Sequence, residues 1–382
     1  MAHAAVIGGG VFGTWTAHHL RAAGMDVTLI DAYVPGNSRS SSGDETRILR
    51  CGYGPDAVYS QLARRSLQLW REMQERSGAR EAPIWHRCGV LWMASGEDPY
   101  TRATRATLDR GNFPLEVLDQ RALRTRYPHL MAADVHEALL EPDAGVLMAR
   151  RAVQTLAAEL ERDGVRRIRA RVAVPWTSGR ITAVHLADGG AIEADLFVFA
   201  CGAWLPKVFP ALLDGVIRPT RQTVVYFGTP AGDDRFGPAH TPAWVDFPAG
   251  IYGVPDLEGR GMKIGIDAHG PAIDPDRDDR VPDPQSIARA RDWLHRRFPA
   301  MTDAPVVETR VCQYENTATG DFLIDRHPGH DNVWIVGGGS GHGFKHGPAI
   351  GEYVMRSMTT DLAAEPRFLL ASKSTDSHRA VY

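Results

Sequence analysis

Apolar and polar residues alternate along the chain in blocks that predict an α/β protein. Residues 4–7 form an apolar run typical of a buried strand, and the amphipathic segment after them predicts a helix that ends near Gly24. Residues 25–32 predict a second strand. The chain therefore begins with a strand–helix–strand unit.

Glycine spacing in the first turn of this unit indicates a dinucleotide site. Gly8, Gly10 and Gly13 match the pattern G-x-G-x-x-G, and Asp31 lies at the end of the second strand. Such glycines permit a tight turn and let backbone N–H groups approach a pyrophosphate, while the acid accepts hydrogen bonds from a ribose diol. A plain strand-to-helix turn is the alternative.

Four later segments predict elements that continue this unit. Apolar positions at three- and four-residue spacing predict a helix from about Tyr59 to Gly78, and residues 150–165 predict another. Residues 166–176 predict a strand. A hairpin then leads into a buried strand at 195–201, which we expect to return to the dinucleotide sheet.

The other segments predict a second sheet and a C-terminal element. Residues 84–149 mix short strands with helical pieces, and residues 216–310 contain many prolines and alternating strands. Residues 333–339 predict a buried strand, and a helix is expected to begin near Pro348, because proline is favoured in the first helical turn. Residues beyond about Pro366 are expected to be poorly ordered.

Together these segments predict a discontinuous nucleotide-binding domain whose sequence is interrupted twice by other segments. This organisation differs from that of a simple NAD dehydrogenase. We expect the nucleotide-binding domain in residues 1–80, 150–215 and 311–365, a second domain in 81–149 and 216–310, and a tail in 366–382.

Composition excludes several classes of function. The formal net charge of −3 argues against non-specific nucleic-acid binding, and no apolar run is long enough to span a membrane. We recognise no signal peptide and expect a cytoplasmic protein. The cysteines have no metal-binding spacing, so a metal site is not predicted and a buried apolar role is the default; they are Cys51, Cys88, Cys201 and Cys312.

Lysine is rare in this chain, which makes its positions informative. Only four of the 43 basic residues are lysines: Lys207, Lys263, Lys345 and Lys373. Lys345 lies in the glycine-rich stretch GGGSGHGFKHGP. A compact ammonium with an adjustable pKa fits a tight site in a way that arginine does not. Lysines retained in an arginine-rich chain are therefore candidate site residues.

Three stretches resemble the monomeric sarcosine oxidase and N-methyltryptophan oxidase family of FAD-dependent amine oxidases. They are GGGVFGTWTAHHL, SSGDETRILRCGYG and VCQYENTATGDFLIDRHPGHDNVWIVGGGSGHGFK. The resemblance implies a glutathione-reductase-like FAD-binding domain of Rossmann type with an antiparallel-sheet substrate domain. It also implies oxidation of a secondary or N-methyl amino acid by hydride transfer to FAD, reoxidation by O2 to give H2O2, and hydrolysis of the imine. Without obvious heptads, we expect a monomer.

The resemblance assigns roles to a cysteine and four cations. Cys312 would join the flavin, although some relatives bind FAD without this bond. Lys345 and Arg50 would hold the substrate carboxylate, Lys263 would promote reaction with oxygen, and Arg47 would lie near the flavin ring. The alternatives are a buried thiol for Cys312, an exposed strand position for Lys263, and ordinary ion pairs for the two arginines.

Aromatic and glycine-rich positions complete the implied site. His342 would lie near the ring, Tyr252 and Tyr314 would line the substrate cavity unless they are plain core, and His346 is interpreted as an ordinary residue at a helix start. The residues expected to contact FAD are Gly8, Gly10, Val11, Phe12, Gly13, Asp31, Ala32, Arg39, Ser40, Thr46, Arg47, Val172, Gly202, Trp204, Cys312, Gly339, Gly341, His342, Gly343, Phe344 and Lys345.

Asp267 departs from the family pattern, which has histidine at this position. On a strand, His269 would point to the same face. A carboxylate attracts an amine cation or binds hydroxyl groups, so we expect a substrate larger or more polar than sarcosine; pairing with a nearby arginine is the alternative. Fructosyl-amino-acid or cyclic imino acid oxidation, a flavin dehydrogenase with another acceptor, and an NAD-dependent dehydrogenase are the alternative functions.

Overall fold

A computed structural model describes residues 1–78, 81–95, 97–173 and 179–373. The strands in this part of the chain are β1 (His3–Ile7), β2 (Asp26–Asp31), β3 (Thr46–Leu49), β4 (Trp85–His86), β5 (Val90–Ser95), β6 (Glu116–Asp119), β7 (Val135–Glu141), β8 (Gly145–Met148), β9 (Arg166–Arg169), β10 (Val172–Ala173), β11 (Ala183–Leu186), β12 (Ala191–Glu193), β13 (Leu196–Phe199), β14 (Ile217–Phe227), β15 (Ala243–Asp246), β16 (Ile251–Val254), β17 (Met262–Ile266), β18 (Val306–Thr317), β19 (Leu323–Arg326) and β20 (Val333–Gly337). The helices are α1 (Val11–Ala22), α2 (Ala57–Ser77), α3 (Pro99–Arg110), α4 (Gln120–Arg126), α5 (Ala149–Arg162), α6 (Leu205–Val208), α7 (Pro210–Leu213), α8 (Pro284–Arg297) and α9 (Gly347–Thr359).

The N-terminal unit forms the centre of a six-stranded sheet. The strand order is β19-β20-β13-β1-β2-β9, and all neighbours are parallel except β19 and β20. Residues 4–7 pair with 196–199, which confirms that the strand after the hairpin returns to this sheet. Because both faces of the central strands are covered, they consist almost entirely of apolar residues, as parallel sheets require.

An eight-stranded sheet provides the second scaffold. Its strand order is β18-β14-β17-β16-β15-β5-β7-β6, and all neighbours are antiparallel except β15 and β5. β14 and β18 run side by side over most of their length, so Thr220 lies opposite Tyr314 and Gln222 opposite Cys312. Two smaller sheets, β10-β11-β12 and β3-β8-β4, complete the fold, and β3 carries Thr46 and Arg47.

Helices α1 and α9 pack closely on the parallel sheet. A Cβ on Gly351 would lie 2.5 Å from the backbone carbon of Trp15, so glycine is required where the two helices cross. Trp15 in turn meets Trp70 of α2 edge to face, with ring centroids 5.2 Å apart. These contacts fix the start of α9, just after Lys345 and His346.

Most predicted helix ends are confirmed, but the C-terminal prediction is wrong in part. Gly78 adopts a left-handed conformation after α2, and Pro348 lies in the first turn of α9. Residues 366–373 are ordered by packing, because Phe368 is 1% exposed and contacts the rings of Tyr59 and Tyr353. Residues 374–382, and the end of the strand predicted at 166–176, lie outside the described residues.

Two kinds of feature are absent from the described residues. No helix there is long and apolar enough to cross a membrane. No group of three or more His, Cys, Asp or Glu side chains in the same residues is arranged to hold a metal ion.

Candidate active site

Glycines shape the turn between β1 and α1. Gly8 has a φ of +113°, and a Cβ there would lie 2.2 Å from the Ala200 carbonyl oxygen. A Cβ on Gly13 would lie 1.8 Å from the carbonyl oxygen of Gly8. Since real Cβ atoms do not approach other atoms so closely, both positions require glycine. The turn therefore packs closely against Ala200, and the backbone N–H of Val11, the first residue of α1, donates a hydrogen bond to the Ser42 hydroxyl, at 3.1 Å.

A cavity of about 490 Å³ opens beside this turn and extends to the glycine loop before α9. Asp31 lies at one end, where its carboxylate accepts hydrogen bonds from the backbone N–H groups of Gly9, at 2.5 Å, and Tyr33, at 2.7 Å. The predicted cofactor residues that line this cavity are Gly8, Gly10, Val11, Phe12, Asp31, Ala32, Ser40, Arg47, Val172, Gly202, Trp204, Gly339, Gly341, Gly343 and Phe344.

Six other predicted cofactor residues do not line this cavity. Three of them, Cys312, His342 and Lys345, line a smaller cavity next to it. The remaining three are Gly13, Arg39 and Thr46. Gly13 is inside the turn, where it contacts Gly8. Arg39 donates a hydrogen bond to the backbone carbonyl of Asp276, at 3.3 Å. Thr46 accepts a hydrogen bond from Lys263 through its backbone carbonyl, at 3.0 Å.

Glu315 is a cavity residue that the sequence reasoning missed. It is 8% exposed, and its Oε2 atom has no hydrogen-bond partner among the described residues. Burial raises the pKa of this carboxyl to about 7, although the backbone N–H groups of Gly339 and Gly338 partly offset the effect. An acceptor oxygen is thus available between the glycine loop and the turn at Gly202. The available signal was an acid in the second half of β18, where most residues are buried.

A second, smaller cavity of about 60 Å³ adjoins the first. Four residues line both: Arg47, Tyr314, Gly341 and Phe344. The other predicted site residues on its wall are Arg50, Tyr252, Asp267, Cys312, His342 and Lys345. The structure therefore brings together the side chains assigned to the substrate and places them across a shared wall from the first cavity.

Arg50 is buried and held by aromatic rings. It is 4% exposed, and its guanidinium carbon lies 4.6 Å from the ring centroids of both Tyr53 and Trp92. Glu141, a residue missed in the sequence, supports this arrangement. Its carboxylate accepts hydrogen bonds from the backbone N–H of Cys51, at 2.6 Å, and from the Trp92 indole, at 2.8 Å. The surface ion pair considered for Arg50 is therefore wrong.

Lys345 is the second buried cation of the small cavity. It is 6% exposed, and its Nζ donates hydrogen bonds to the Tyr53 hydroxyl, at 2.8 Å, and to the His342 carbonyl, at 3.1 Å. Burial and the nearby charge of Arg50 hold the pKa of Lys345 well below its ordinary value. A bound anion would offset this cost, because it would pair with both cations.

Asp267 directly follows β17 and lines the small cavity together with these cations. Burial raises the pKa of its carboxyl to about 7, although Arg50, Lys345 and a hydrogen bond from Tyr314 oppose the effect. The expectation for His269 is wrong: β17 ends at Ile266, and His269 is exposed, so the alternation of a strand does not extend to it.

Lys263 belongs to a buried cluster behind the shared wall. It is 1% exposed, so it is not on an exposed strand, and its Nζ pairs with Asp44. Asp44 also pairs with Arg47, at 2.5 Å, and accepts a hydrogen bond from Tyr226, at 3.1 Å. Burial opposes the negative charge of Asp44, but these two cations outweigh it and hold its pKa well below the usual range. The sequence reasoning did not assign Asp44 a role.

Cys312 lies between this cluster and the small cavity. It is 9% exposed, and its sulfur is 4.0 Å from Nη2 of Arg47. Burial, and after it the charge of Asp44, raises the pKa of the Cys312 thiol, while Arg47 and Lys263 lower it. The other cysteines fit their default: Cys51 is buried, and Cys88 and Cys201 are partly buried.

Comparison with known proteins identifies the family. The family model DAO, described as FAD dependent oxidoreductase, matches residues 3–356. The chain belongs to this family of FAD-dependent oxidoreductases. It is 30% identical to the monomeric sarcosine oxidase of Bacillus sp. (strain B-0618) over 363 residues, which cover 93% of this chain and 91% of that enzyme. The resemblance inferred from the sequence is therefore confirmed.

Other relatives and solved structures agree with this assignment. The N-methyl-L-tryptophan oxidase of Salmonella arizonae is 28% identical over 362 residues, covering 91% of this chain and 92% of that enzyme. The L-proline dehydrogenase from P. horikoshii superposes with a TM-score of 0.85 at 22% identity, covering 99% of each chain. Fructosyl amine:oxygen oxidoreductase (Amadoriase I) from Aspergillus fumigatus superposes at 0.78 with 23% identity, covering 97% of this chain and 89% of that one. The expected α/β fold is confirmed.

The residues of the large cavity fit FAD. Gly8, Gly10, Val11 and Phe12 place the first turn and the start of α1 on the cavity wall, and the N-terminus of a helix favours an anion such as a diphosphate. Asp31 and the unpartnered oxygen of Glu315 line this cavity, and both would be available as acceptors for hydroxyl groups such as those of FAD. The four residues shared with the small cavity mark where the flavin ring would meet a substrate.

Proposed function

We propose that this FAD-dependent oxidoreductase oxidises a secondary or N-substituted amino acid and uses O2 as the electron acceptor. The observation that carries the proposal is the pair of buried cations, Arg50 and Lys345, on the wall of the small cavity. Two converging cations suit one carboxylate, and arginine adds a planar, two-pronged contact. The sarcosine and N-methyl-L-tryptophan oxidases among the relatives support an amino acid substrate.

The chain's own residues would orient the substrate and manage charge. When bound, FAD supplies the two-electron acceptor that takes hydride from the carbon next to the amine nitrogen and returns the electrons to O2 as H2O2. Arg50 and Lys345 would fix the carboxylate, while Tyr252 and Tyr314 shape the cavity around the amine. The imine product would hydrolyse in water.

Arg47, Lys263 and Asp44 would set the charge beside the reacting atoms. Arg47 and Lys263 contribute two positive charges and Asp44 contributes one negative charge, so this buried cluster carries a net charge of +1. Such a charge stabilises negative charge that develops nearby, including that of superoxide. Lys263 would serve the oxygen reaction in this way, and Arg47 would stabilise a negative charge on the ring.

Cys312 would hold FAD covalently. Its sulfur would replace one hydrogen of the 8α-methyl group of the flavin, and the two protons and two electrons released would reduce O2 to H2O2. The positive charges of Arg47 and Lys263 favour the thiolate that this reaction requires, against the effect of burial.

Asp267 would select a substrate larger or more polar than sarcosine. A carboxylate beside the two cations would attract an amine cation or accept hydrogen bonds from hydroxyl groups. This feature favours, as the second candidate function, oxidation of a fructosyl-amino acid or of a cyclic imino acid, in which the nitrogen is part of a ring.

The test is a panel of sarcosine, N-methyltryptophan, pipecolate, proline and fructosyl-amino acids, with peroxide formation and oxygen uptake measured under air. We expect peroxide from one of the larger substrates. Sarcosine as the best substrate would contradict the role of Asp267, and flavin reduction without peroxide would indicate another electron acceptor. Acid precipitation of the same protein tests the covalent bond, which requires the yellow colour to remain in the pellet.

A further inference from the structure

Two hydrogen bonds within the protein occupy two of the three N–H groups of the Lys345 ammonium. Its ammonium has three N–H groups; one donates to the Tyr53 hydroxyl, at 2.8 Å, and one to the His342 carbonyl, at 3.1 Å. For the third, the described residues offer no acceptor. Because Lys345 lines the small cavity, this remaining N–H is the one available to a ligand there. The direction of this remaining N–H depends on whether the Tyr53 hydroxyl and the His342 carbonyl keep the ammonium in one orientation.

Tyr53 must accept the bond from Lys345, because an ammonium has no lone pair to offer in return. The proton of the Tyr53 hydroxyl is then available for a different acceptor. Two ring nitrogens are near: Nε2 of His346, at 2.7 Å, and Nδ1 of His342, at 3.4 Å. The distance to His346 is that of a good hydrogen bond, whereas the distance to His342 is at the limit.

His346 is placed to act as this acceptor. It is fully buried at the start of α9, with the rings of Tyr53, Tyr59 and Phe322 around it. Burial, and then the charges of Lys345, His342 and Arg50, hold the pKa of His346 well below its ordinary value. A neutral imidazole with its proton on Nδ1 presents the lone pair of Nε2 to Tyr53. In this tautomer the Nδ1 N–H has no hydrogen-bond partner among the described residues, so His346 is linked to its polar neighbours through Nε2.

We propose that His346 is a positioning residue for substrate binding: it accepts a hydrogen bond from the Tyr53 hydroxyl, which fixes Tyr53 as the acceptor for Lys345 and directs the remaining N–H of Lys345 at the substrate carboxylate. The inference rests on the proposed function, in which Lys345 binds that carboxylate. His346 does not reach the small cavity, so it acts through Tyr53.

The test is a titration of the FAD-loaded enzyme with propionate, a carboxylate without an oxidisable amine, followed by the flavin absorption spectrum. His346→Phe keeps an aromatic ring among aromatic neighbours but removes the acceptor. We expect its Kd for propionate to rise about fivefold to tenfold, the effect of losing one hydrogen bond. His346→Gln places a carbonyl oxygen where Nε2 was and should restore much of the affinity.

Two further variants provide the reference values for this measurement. Lys345→Met gives the full effect of losing the cation, and His346→Phe should fall between it and the wild type. His19→Phe is the matched control, since His19 is a buried histidine that contacts the Pro348 carbonyl, at 3.1 Å, and is not among the hydrogen-bond partners of the Lys345 ammonium or of the Tyr53 hydroxyl. We expect it to bind propionate as the wild type does.

The outcomes separate this inference from the proposed function. If the wild type binds propionate and His346→Phe binds it within twofold, the positioning role is wrong. An equal loss in His346→Phe and His346→Gln would also contradict it, because the acceptor would then be irrelevant. If His346→Phe does not fold, His346→Met replaces it in the same comparison. A wild type that shows no propionate binding would contradict the proposed function instead.

Discussion

The two cavities are formed by different means. The large cavity is formed mainly by backbone: glycines in the first turn and in the loop before α9 bring main-chain groups close to the space. The small cavity is formed by buried ionisable side chains, including Arg50, Lys345 and Asp267. The glycine positions are recognisable from local sequence spacing and tolerate no added side chain, whereas the buried charges are recognisable only from partners in distant parts of the chain.

This difference implies different consequences of mutation. A side chain added in the large cavity should act through steric clash and prevent cofactor binding. A charge removed from the small cavity should leave FAD bound and change one step of the reaction. The predictions below test this distinction.

The largest effect is expected for Gly8→Ala. The added methyl would lie 2.2 Å from the Ala200 carbonyl oxygen, at a φ of +113° that suits only glycine. We expect the protein to be purified with little or no flavin, measured as the ratio of absorbance at 450 nm to that at 280 nm. The matched control is Gly24→Ala, because Gly24 also has a positive φ, +86°, but its Cβ would have no neighbour within 4 Å. Flavin content equal in the two variants would contradict a steric role for the turn.

The sequence predicts the large cavity better than the small one, and the reason is the same difference between backbone and side chains. The turn, Asp31 and the return of the 195–201 strand were predictable, because glycine spacing and apolar runs are local signals. Tyr53, His346 and Asp44 were not, because their roles arise from pairings such as Lys263 with Asp44, 219 residues apart. Glu315 and Asp44 both lie within stretches that carry the family resemblance. The environment of each carboxylate, however, is determined by residues that are distant in the sequence and that only the fold brings into contact.

A smaller but selective effect is expected for Lys263→Met. Removing this ammonium leaves Asp44 paired with Arg47 alone, so the cluster loses its net positive charge. We expect reoxidation of the reduced enzyme by O2 to slow by about 100-fold, in the range seen when a single stabilising group is removed. Reduction by substrate without oxygen should change much less. Stopped-flow measurement of each half-reaction is the test, with Lys373→Met, a lysine remote from both cavities, as the control. Equal slowing of both half-reactions would show that Lys263 has a general structural role.

The smallest effect is expected for Asp267→Asn, and its sign depends on pH. Since the pKa of Asp267 is raised to about 7, the wild-type carboxyl is mostly neutral at pH 6 and mostly charged at pH 8. When charged, it competes with a bound carboxylate for Arg50 and Lys345, so wild-type binding of propionate should weaken as the pH rises through 7. Asp267→Asn should bind propionate as the wild type does at pH 6 and up to about tenfold more tightly at pH 8. The same ratio of Kd values at both pH values would show that Asp267 does not titrate in this range. Weaker binding by the variant at pH 8 would mean instead that Asp267 is needed to keep Lys345 charged.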